Sequence, residues 1–295
     1  MSQESPTASR IVRAPDFNCP PFTADLLAGE VALVTGGGSG MGLGMAVGLA
    51  QAGASIAVLG RSPERTAAGV RRIEANGGRA VAVQADVRDQ DAVSHAFDIV
   101  EKALGPVSIL ANNAGGNFPV LAEVMSANAW RAVTRIAIDG TFLCSTEFAR
   151  RRIACGRAGV IVNNSAQYVW SGFPGDAHSA AAKAAIVTMT EAMAHDWRAQ
   201  GIRVNCVAAG FFPHDGTPEG KDPEALAGLA RMIPAGRVGE MREFGWLAAF
   251  LCSALAAGIT GETLVIDGAE RLRRVLLGPP FVPPRERAVI WGELS

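Results

Sequence analysis

Val31-Ala-Leu-Val-Thr35-Gly-Gly-Gly-Ser-Gly40-Met-Gly42 is the stretch on which the reading of this chain turns. An unbroken apolar run ending in a threonine reads as a strand covered on both faces. It passes directly into a turn dense in glycine, and from Gly42 to Ala52 apolar residues recur at helical spacing. Gly36 permits the tight turn, Gly40 lets backbone approach a pyrophosphate, and Gly42 lets the helix close on the strand. The free N–H groups and positive dipole end of that helix point at the same place. Gly36, Ser39, Gly40, Met41 and Gly42 are therefore read as the cradle of a dinucleotide's phosphates. A glycine pattern alone is a weak signal, and the strand–turn–helix setting makes it specific.

The same alternation continues along the chain. Ser55–Gly60, Ala80–Gln84, Ser108–Ala111, Val160–Asn163, Arg203–Val207 and Thr263–Ile266 read as further strands. Between them Glu64–Asn76, Asp91–Leu104, Ala127–Arg152 and Ser179–Gln200 carry apolar residues at helical spacing. Gly53, Gly77 and Gly105 stand where helix stops are expected. The expected fold is α/β, a single-domain Rossmann-type doubly wound parallel sheet of about seven strands with helices on both faces. Residues 28–270 form that domain, 1–27 an N-terminal extension and 271–295 a tail interrupted by Gly278-Pro-Pro and Pro283-Pro284. Residues 211–237, rich in Gly, Pro and charge, suit a mobile substrate lid after the sixth strand.

Apolar residues make up 49% of the 295 and charged residues 19%, ample for a buried core. The formal charge of −1 gives no basic field, so nucleic acid is not an expected partner. The five cysteines, Cys19, Cys144, Cys155, Cys206 and Cys252, are scattered, as free thiols in a reducing compartment are. Neither they nor His95, His178, His195 and His214 show metal-ligand spacing, and no metal is expected. No apolar stretch reaches the roughly 20 residues of a membrane span, and the first 25 residues lack the apolar core of a secretory signal. A cytoplasmic protein without a membrane partner is expected.

The second strand ends Val58-Leu59-Gly60-Arg61. An NAD-selective site carries an acid here for the ribose 2′-hydroxyl. Gly60 supplies none, and Arg61 offers a guanidinium for a 2′-phosphate, so NADP(H) is favoured over NAD(H).

Thr35–Gly42, Asp86-Val87 after the third strand, Asn112-Asn113-Ala114-Gly115 after the fourth and Lys183 early in a helix together resemble the short-chain dehydrogenase/reductase family over roughly residues 28–270. The resemblance implies that Asp86 and Val87 lie by the adenine, that Asn113, Ala114 and Gly115 line the cofactor channel, and that Lys183 holds the nicotinamide ribose. Val207-Ala208-Ala209-Gly210 stands where the family has a Pro-Gly turn near the nicotinamide, with Ala209 a departure. The usual catalytic tyrosine, serine and asparagine positions hold Ser179, Ala166 and Ala137. The sole tyrosine of the chain, Tyr168, lies fifteen residues before Lys183, so no YxxxK arrangement exists.

That absence has chemical content. Reducing a ketone leaves an alkoxide that must be protonated as it forms, which calls for a phenol made acidic by a neighbouring ammonium. Reducing a conjugated thioester places charge on the thioester oxygen as an enolate, which calls for hydrogen-bond donors instead. The 2,4-dienoyl-CoA reductase branch matches this pattern, and the chain resembles it in Asn112–Phe118, Asn128-Ala129-Trp130, Asp139-Gly140-Thr141, Ser179-xxx-Lys183, Ile233-Pro234-x-Gly236-Arg237 and Ala248–Ser253. By that resemblance Tyr168, eleven residues before Ser179, donates to the thioester oxygen. Asp139 takes the place of a second donor, an asparagine in the branch; ionised, it only accepts, so it is protonated, orients a water, or meets a different substrate.

Asn117, Phe118 and Phe211 are candidates for the acyl pocket, and Arg231 and Arg237 for the acidic groups of coenzyme A. Ser179 reads equally as an N-cap, and His178 as a loop residue. The implied partner is a small acyl thioester, CoA-linked, and the implied assembly a homotetramer through Phe244–Leu251 and Thr263–Ile266. Two alternatives stay open: a carbonyl or alcohol oxidoreductase on an unusual substrate, and a catalytically silent NADP(H)-binding family member.

Overall fold

The computed structural model describes residues 21–214, 216–217 and 222–272. Seven parallel strands form one sheet in the order β3-β2-β1-β4-β5-β6-β7. They are β1 Val31–Thr35, β2 Ser55–Gly60, β3 Ala80–Gln84, β4 Ile109–Asn112, β5 Gly159–Ala166, β6 Ile202–Ala209 and β7 Thr263–Ile266. The long helices are α1 Gly40–Gln51, α2 Pro63–Glu74, α3 Gln90–Leu104, α4 Ala127–Thr134, α5 Gly140–Ala154, α6 Ala177–Trp197, α7 Pro223–Met232 and α8 Met241–Cys252. The strand order winds outward in both directions from β1 and β4, so a crevice opens beyond their carboxyl ends, the place where open α/β sheets hold ligands.

The pleat divides the core in two. Ala32 and Val34 of β1, with Ile56 and Val58 of β2, face Met45 and Leu49 of α1 and Phe244 and Ala248 of α8. Val31, Leu33, Ala57 and Leu59 face Phe97 of α3 and Phe148 of α5 on the other side. Each strand alternates between two apolar layers, hence the unbroken hydrophobic runs. On the first face α1 and α8 meet backbone to backbone: a Cβ on Gly48 would lie 2.5 Å from the Gly245 carbonyl carbon.

The strands expected at Val160–Asn163 and Arg203–Val207 extend further at their carboxyl ends. Asn164, Ser165 and Ala166 still pair with Val207, Ala208 and Ala209. Asn164 and Ser165, polar as they are, are buried and hydrogen-bonded there. The helix expected over Ala127–Arg152 is α4 and α5 joined by a π-helical turn at Arg135–Asp139. Such turns insert one residue and recur at functional sites. Phe22 and Leu26 pack on the core and Leu27 is buried within it, so the ordered domain begins earlier than residue 28. Most of the expected extension and tail, residues 1–20 and 273–295, lies outside the described residues.

Candidate active site

The crevice is built from strand ends. Gly36 and Gly40 adopt positive φ, 65° and 52°, at the two bends of the loop. A Cβ on Gly42 would strike the Asn113 amide and the Gly36 carbonyl, so only glycine lets α1 start this close to β1. Ser39, at the N-cap of α1, makes no side-chain cap and leaves the first-turn N–H groups to an external acceptor. A backbone cradle with open amides at a helix N-terminus fits a pyrophosphate. Over it lies His214 from the segment after β6, its ring 3.4 Å from where a Cβ on Gly40 would stand.

At the outer end, Arg61 is exposed immediately beyond β2. Asp86, beyond β3, accepts from Arg88 Nε at 2.9 and 3.1 Å and from Nη2 at 2.5 Å. The Arg88 guanidinium holds its carboxyl down at about 2. Val87 is buried beneath α5, where a Cβ on Gly140 would lie 2.6 Å from Val87 Cγ2.

Between these ends a polar line crosses the sheet. Thr35 Oγ1 accepts from the N–H groups of Asn113 (2.9 Å) and Ala114 (3.0 Å), fixing the turn after β4 beside the glycine loop. Asn113 Oδ1 accepts from Asn164 Nδ2 at 2.8 Å, and the Asn164 carbonyl accepts from Lys183 Nζ at 2.7 Å. Burial draws the Lys183 ammonium down to about 8. Asn164 was not singled out from the sequence; the polar trio Asn163-Asn164-Ser165 closing an apolar strand was the available signal. Gly210 follows β6 tightly packed against Asp267 and Glu270.

Tyr168 sits in a single 3-10 turn, Gln167–Trp170, immediately after β5. Its hydroxyl lies 2.8 Å from Ser179 Oγ in α6. Ser179 is thus no N-cap: it is the third residue of the helix, and its hydroxyl goes to the phenol. Burial raises the phenol above its ordinary value, as does the Asp176 carboxylate, and the Ser179 hydrogen bond opposes them. His178, expected in a loop, is the second residue of α6 and fully buried, its Nδ1 accepting from the Ser179 N–H at 2.8 Å. Phe118 is 41% exposed and meets the His178 ring edge-on at 4.9 Å between centroids. Asn117 hydrogen-bonds Asp176, and Val120 N–H donates to the Gly175 carbonyl at 2.8 Å, so residues 117–120 close over the start of α6.

Other candidates lie apart from this group. Asp139, at the end of the π turn, has a half-exposed carboxylate paired with Arg135 at 3.8 Å rather than enclosed in a pocket. Arg237 makes two 2.7 Å hydrogen bonds to Glu243 and is committed there instead of facing an incoming ligand. Phe211 is half-buried, its carbonyl accepting from Gly239 N–H at 3.0 Å, and the lid region contains α7. Residues 215 and 218–221 of that lid fall outside the described residues. Among the described residues no helix is long and apolar enough to cross a membrane.

A family model described as enoyl-(acyl carrier protein) reductase matches residues 36–269, from the glycine loop to the end of the sheet. A crystal structure of a short chain dehydrogenase from Bacillus anthracis superimposes with a TM-score of 0.76 at 38% identity, over 83% of this chain and 98% of that one. The chain belongs to the short-chain dehydrogenase/reductase family. Among curated members it is 38% identical over 246 residues to a protein of Bacillus subtilis named probable 2,4-dienoyl-CoA reductase, covering 82% of this chain and 97% of that one. A family member named gluconate 5-dehydrogenase from Burkholderia cenocepacia, solved with NADP and tartrate, superimposes with a TM-score of 0.78 at 34% identity, over 85% of this chain and 99% of that one. The chain is accordingly an oxidoreductase of this family, with similarity to both kinds of enzyme.

Proposed function

We propose that this chain uses NADPH to reduce a conjugated enoyl or 2,4-dienoyl thioester, with Tyr168 donating a hydrogen bond to the thioester oxygen. The observation that carries this reading is the Tyr168–Ser179 hydroxyl pair at 2.8 Å, with the phenol raised rather than lowered in pKa. A phenol whose pKa is not lowered is a poor acid for an alkoxide, and being protonated at neutral pH it can still donate a hydrogen bond to an enolate. The nicotinamide, when bound, supplies the hydride. Lys183 and the Asn113–Gly115 turn hold its ribose side, Arg61 takes the 2′-phosphate, and Asp86 and Val87 border the adenine. Asn117, Phe118 and Phe211 line the acyl pocket. Asp139, half-exposed beside Arg135, fits the part of orienting a water better than that of a direct donor. The substrate is a small CoA-linked molecule, and the working assembly a homotetramer.

A second reading, carbonyl or alcohol oxidoreduction, draws on the similarity to the gluconate 5-dehydrogenase solved with NADP. One assay separates them. Loss of NADPH is followed with conjugated acyl-CoAs, simple ketones and keto-sugar acids in parallel. Turnover of at least one conjugated acyl-CoA is expected. Turnover of ketones alone overturns the proposal, and tight NADPH binding without turnover of any of them identifies a silent binding member.

A further inference from the structure

Beyond β7 the chain enters a tightly specified turn. Both Asp267 carboxylate oxygens accept backbone N–H groups, one from Ala269 and one from Arg271, each at 2.9 Å. Gly268 and Ala269 take positive φ, 60° and 68°, and Ala269 is the one non-glycine residue to do so among the described residues. An alanine in that region is uncommon and stores local strain. The turn is also pinned to the crevice, since a Cβ on Gly210 would lie 2.8 Å from Asp267 Cα. Its outcome is the placement of one cation. Arg271, in the 3-10 turn Glu270–Leu272, carries its guanidinium over the Trp170 ring, 5.3 Å from the centroid.

Trp170 ends the short turn that begins at Gln167, so it stands two residues beyond Tyr168, about 4 Å further along the axis of a 3-10 turn. It is 53% exposed, and Phe173, whose ring packs on Tyr168 at 5.8 Å, is 43% exposed. Large exposed apolar side chains gathered at a site mark surface that a ligand covers. Arg88 is taken by Asp86 and Arg237 by Glu243, whereas among the described residues no carboxylate pairs with the Arg271 guanidinium. An arginine over an aromatic face keeps its in-plane N–H donors, the fork that fits a phosphate. The whole chain, at a formal charge of −1, offers no general attraction for an anionic substrate, so a local cation has to supply it.

We propose that Arg271, held over Trp170, binds a phosphate on the carrier arm of the thioester substrate while the thioester lies at Tyr168. This rests on the thioester reading above and adds how the carrier end is held. A pantetheine arm ends in a phosphate whether it belongs to coenzyme A or to an acyl carrier protein, and coenzyme A adds the phosphates of its nucleotide. That phosphate stands well away from the thioester, which fits a cation beside the Tyr168 turn. No bond is made or broken by Arg271.

The test is calorimetric binding to the full-length protein saturated with NADP+, so that the adenine of coenzyme A cannot occupy the dinucleotide cradle. The probes are coenzyme A, 4′-phosphopantetheine and pantetheine, which share the arm and differ in their phosphates. The parent is expected to bind coenzyme A about fivefold more tightly than pantetheine. Arg271→Gln loses that preference while its affinity for pantetheine changes little, and Arg271→Lys keeps part of it. Trp170→Ala, which removes the ring under the guanidinium, weakens it about twofold. Added salt erodes the preference in the parent and has nothing to erode in Arg271→Gln. A preference shared by 4′-phosphopantetheine assigns the phosphate common to both carriers, and one shown by coenzyme A alone assigns its nucleotide end. No preference in the parent, an undiminished preference in folded Arg271→Gln, or an equal loss of pantetheine affinity overturns the inference. In turnover, Arg271→Gln lowers kcat/KM for a conjugated acyl-CoA about fivefold and that for the matching pantetheine thioester far less. A protein with the Arg271-dependent preference that reduces no acyl thioester keeps the phosphate site and loses the proposed reaction. One that reduces thioesters without regard to their phosphates keeps the reaction and loses the site.

Discussion

The proposed role of the Tyr168 hydroxyl, as a donor and not as an acid, draws on what surrounds it. A lysine one turn before or after would make it an acid, but Lys183 donates to the Asn164 carbonyl, and the phenol pairs with the Ser179 hydroxyl instead. Tyr168→Phe removes one donor from a developing oxyanion and keeps the ring that packs on Phe173. It is expected to lower turnover of a conjugated acyl-CoA roughly 100-fold. The NADPH dissociation constant, read by fluorescence titration, stays within about twofold of the parent. Turnover equal to the parent assigns Tyr168 to packing alone. Tyr168 and Ser179 were singled out through the resemblance that carries their eleven-residue spacing, and the structure brings their hydroxyls to 2.8 Å. Asp176 and His178 were not legible, since which of two nearby polar residues accepts from the first turn of a helix depends on rotamers that no spacing encodes. Asn164 was missed for a related reason: its carbonyl, not its side chain, holds the lysine, and a backbone group leaves no mark in sequence.

At the scale of elements, the strands were the most readable part, being apolar on both faces and punctuated by glycine. The failures fall at the carboxyl end of β5, where Asn164 and Ser165 are buried, at that of β6, where Ala208 and Ala209 continue the pairing, and where a helix changes its winding. The π turn at Arg135–Asp139 is invisible in apolar spacing because an inserted residue shifts the pattern by less than one helical face. The approach of α1 to α8 gives a sharper test of packing. A Cβ on Gly245 would lie 3.1 Å from the Gly48 Cα and strike the Gly44 carbonyl, backbone that has nowhere to go. Gly245→Ala is expected to destabilise the fold by about 1–3 kcal/mol in denaturant titration. If the variant is as stable as the parent, the two helices are less closely locked than described. Both faces of this contact belong to the core and not to the site, so the residual folded enzyme should keep its substrate preference.

At the scale of the whole molecule, cofactor binding and stability are one equilibrium. The glycine cradle, the Asn113–Ala114 turn and the segment around His214 come from three separate stretches of chain that meet over β1 and β4. A ligand that binds only their folded arrangement stabilises the domain, by about 2.7 kcal/mol at a hundredfold excess over its dissociation constant. Thermal melts are therefore expected to rise by several degrees with NADPH and by less with NADH at equal concentration. Arg61→Glu, which replaces a phosphate donor by a ribose acceptor, should cost about ten- to a hundredfold in NADPH affinity and remove or reverse that difference. Equal melts with the two cofactors in the parent would reject Arg61 as the discriminating residue.

The closure of residues 117–120 over the start of α6 bears on how such a site can change over time. Asn117 and Phe118 follow directly on the turn assigned to the cofactor, and their side chains rest on Asp176 and His178, next to the serine assigned to the substrate. Neither stretch can drift in sequence without disturbing the other. A mutation that is harmless in one background should be damaging in another, and a new substrate preference should be reached by paired changes across the seam, with the intermediates less fit than either end.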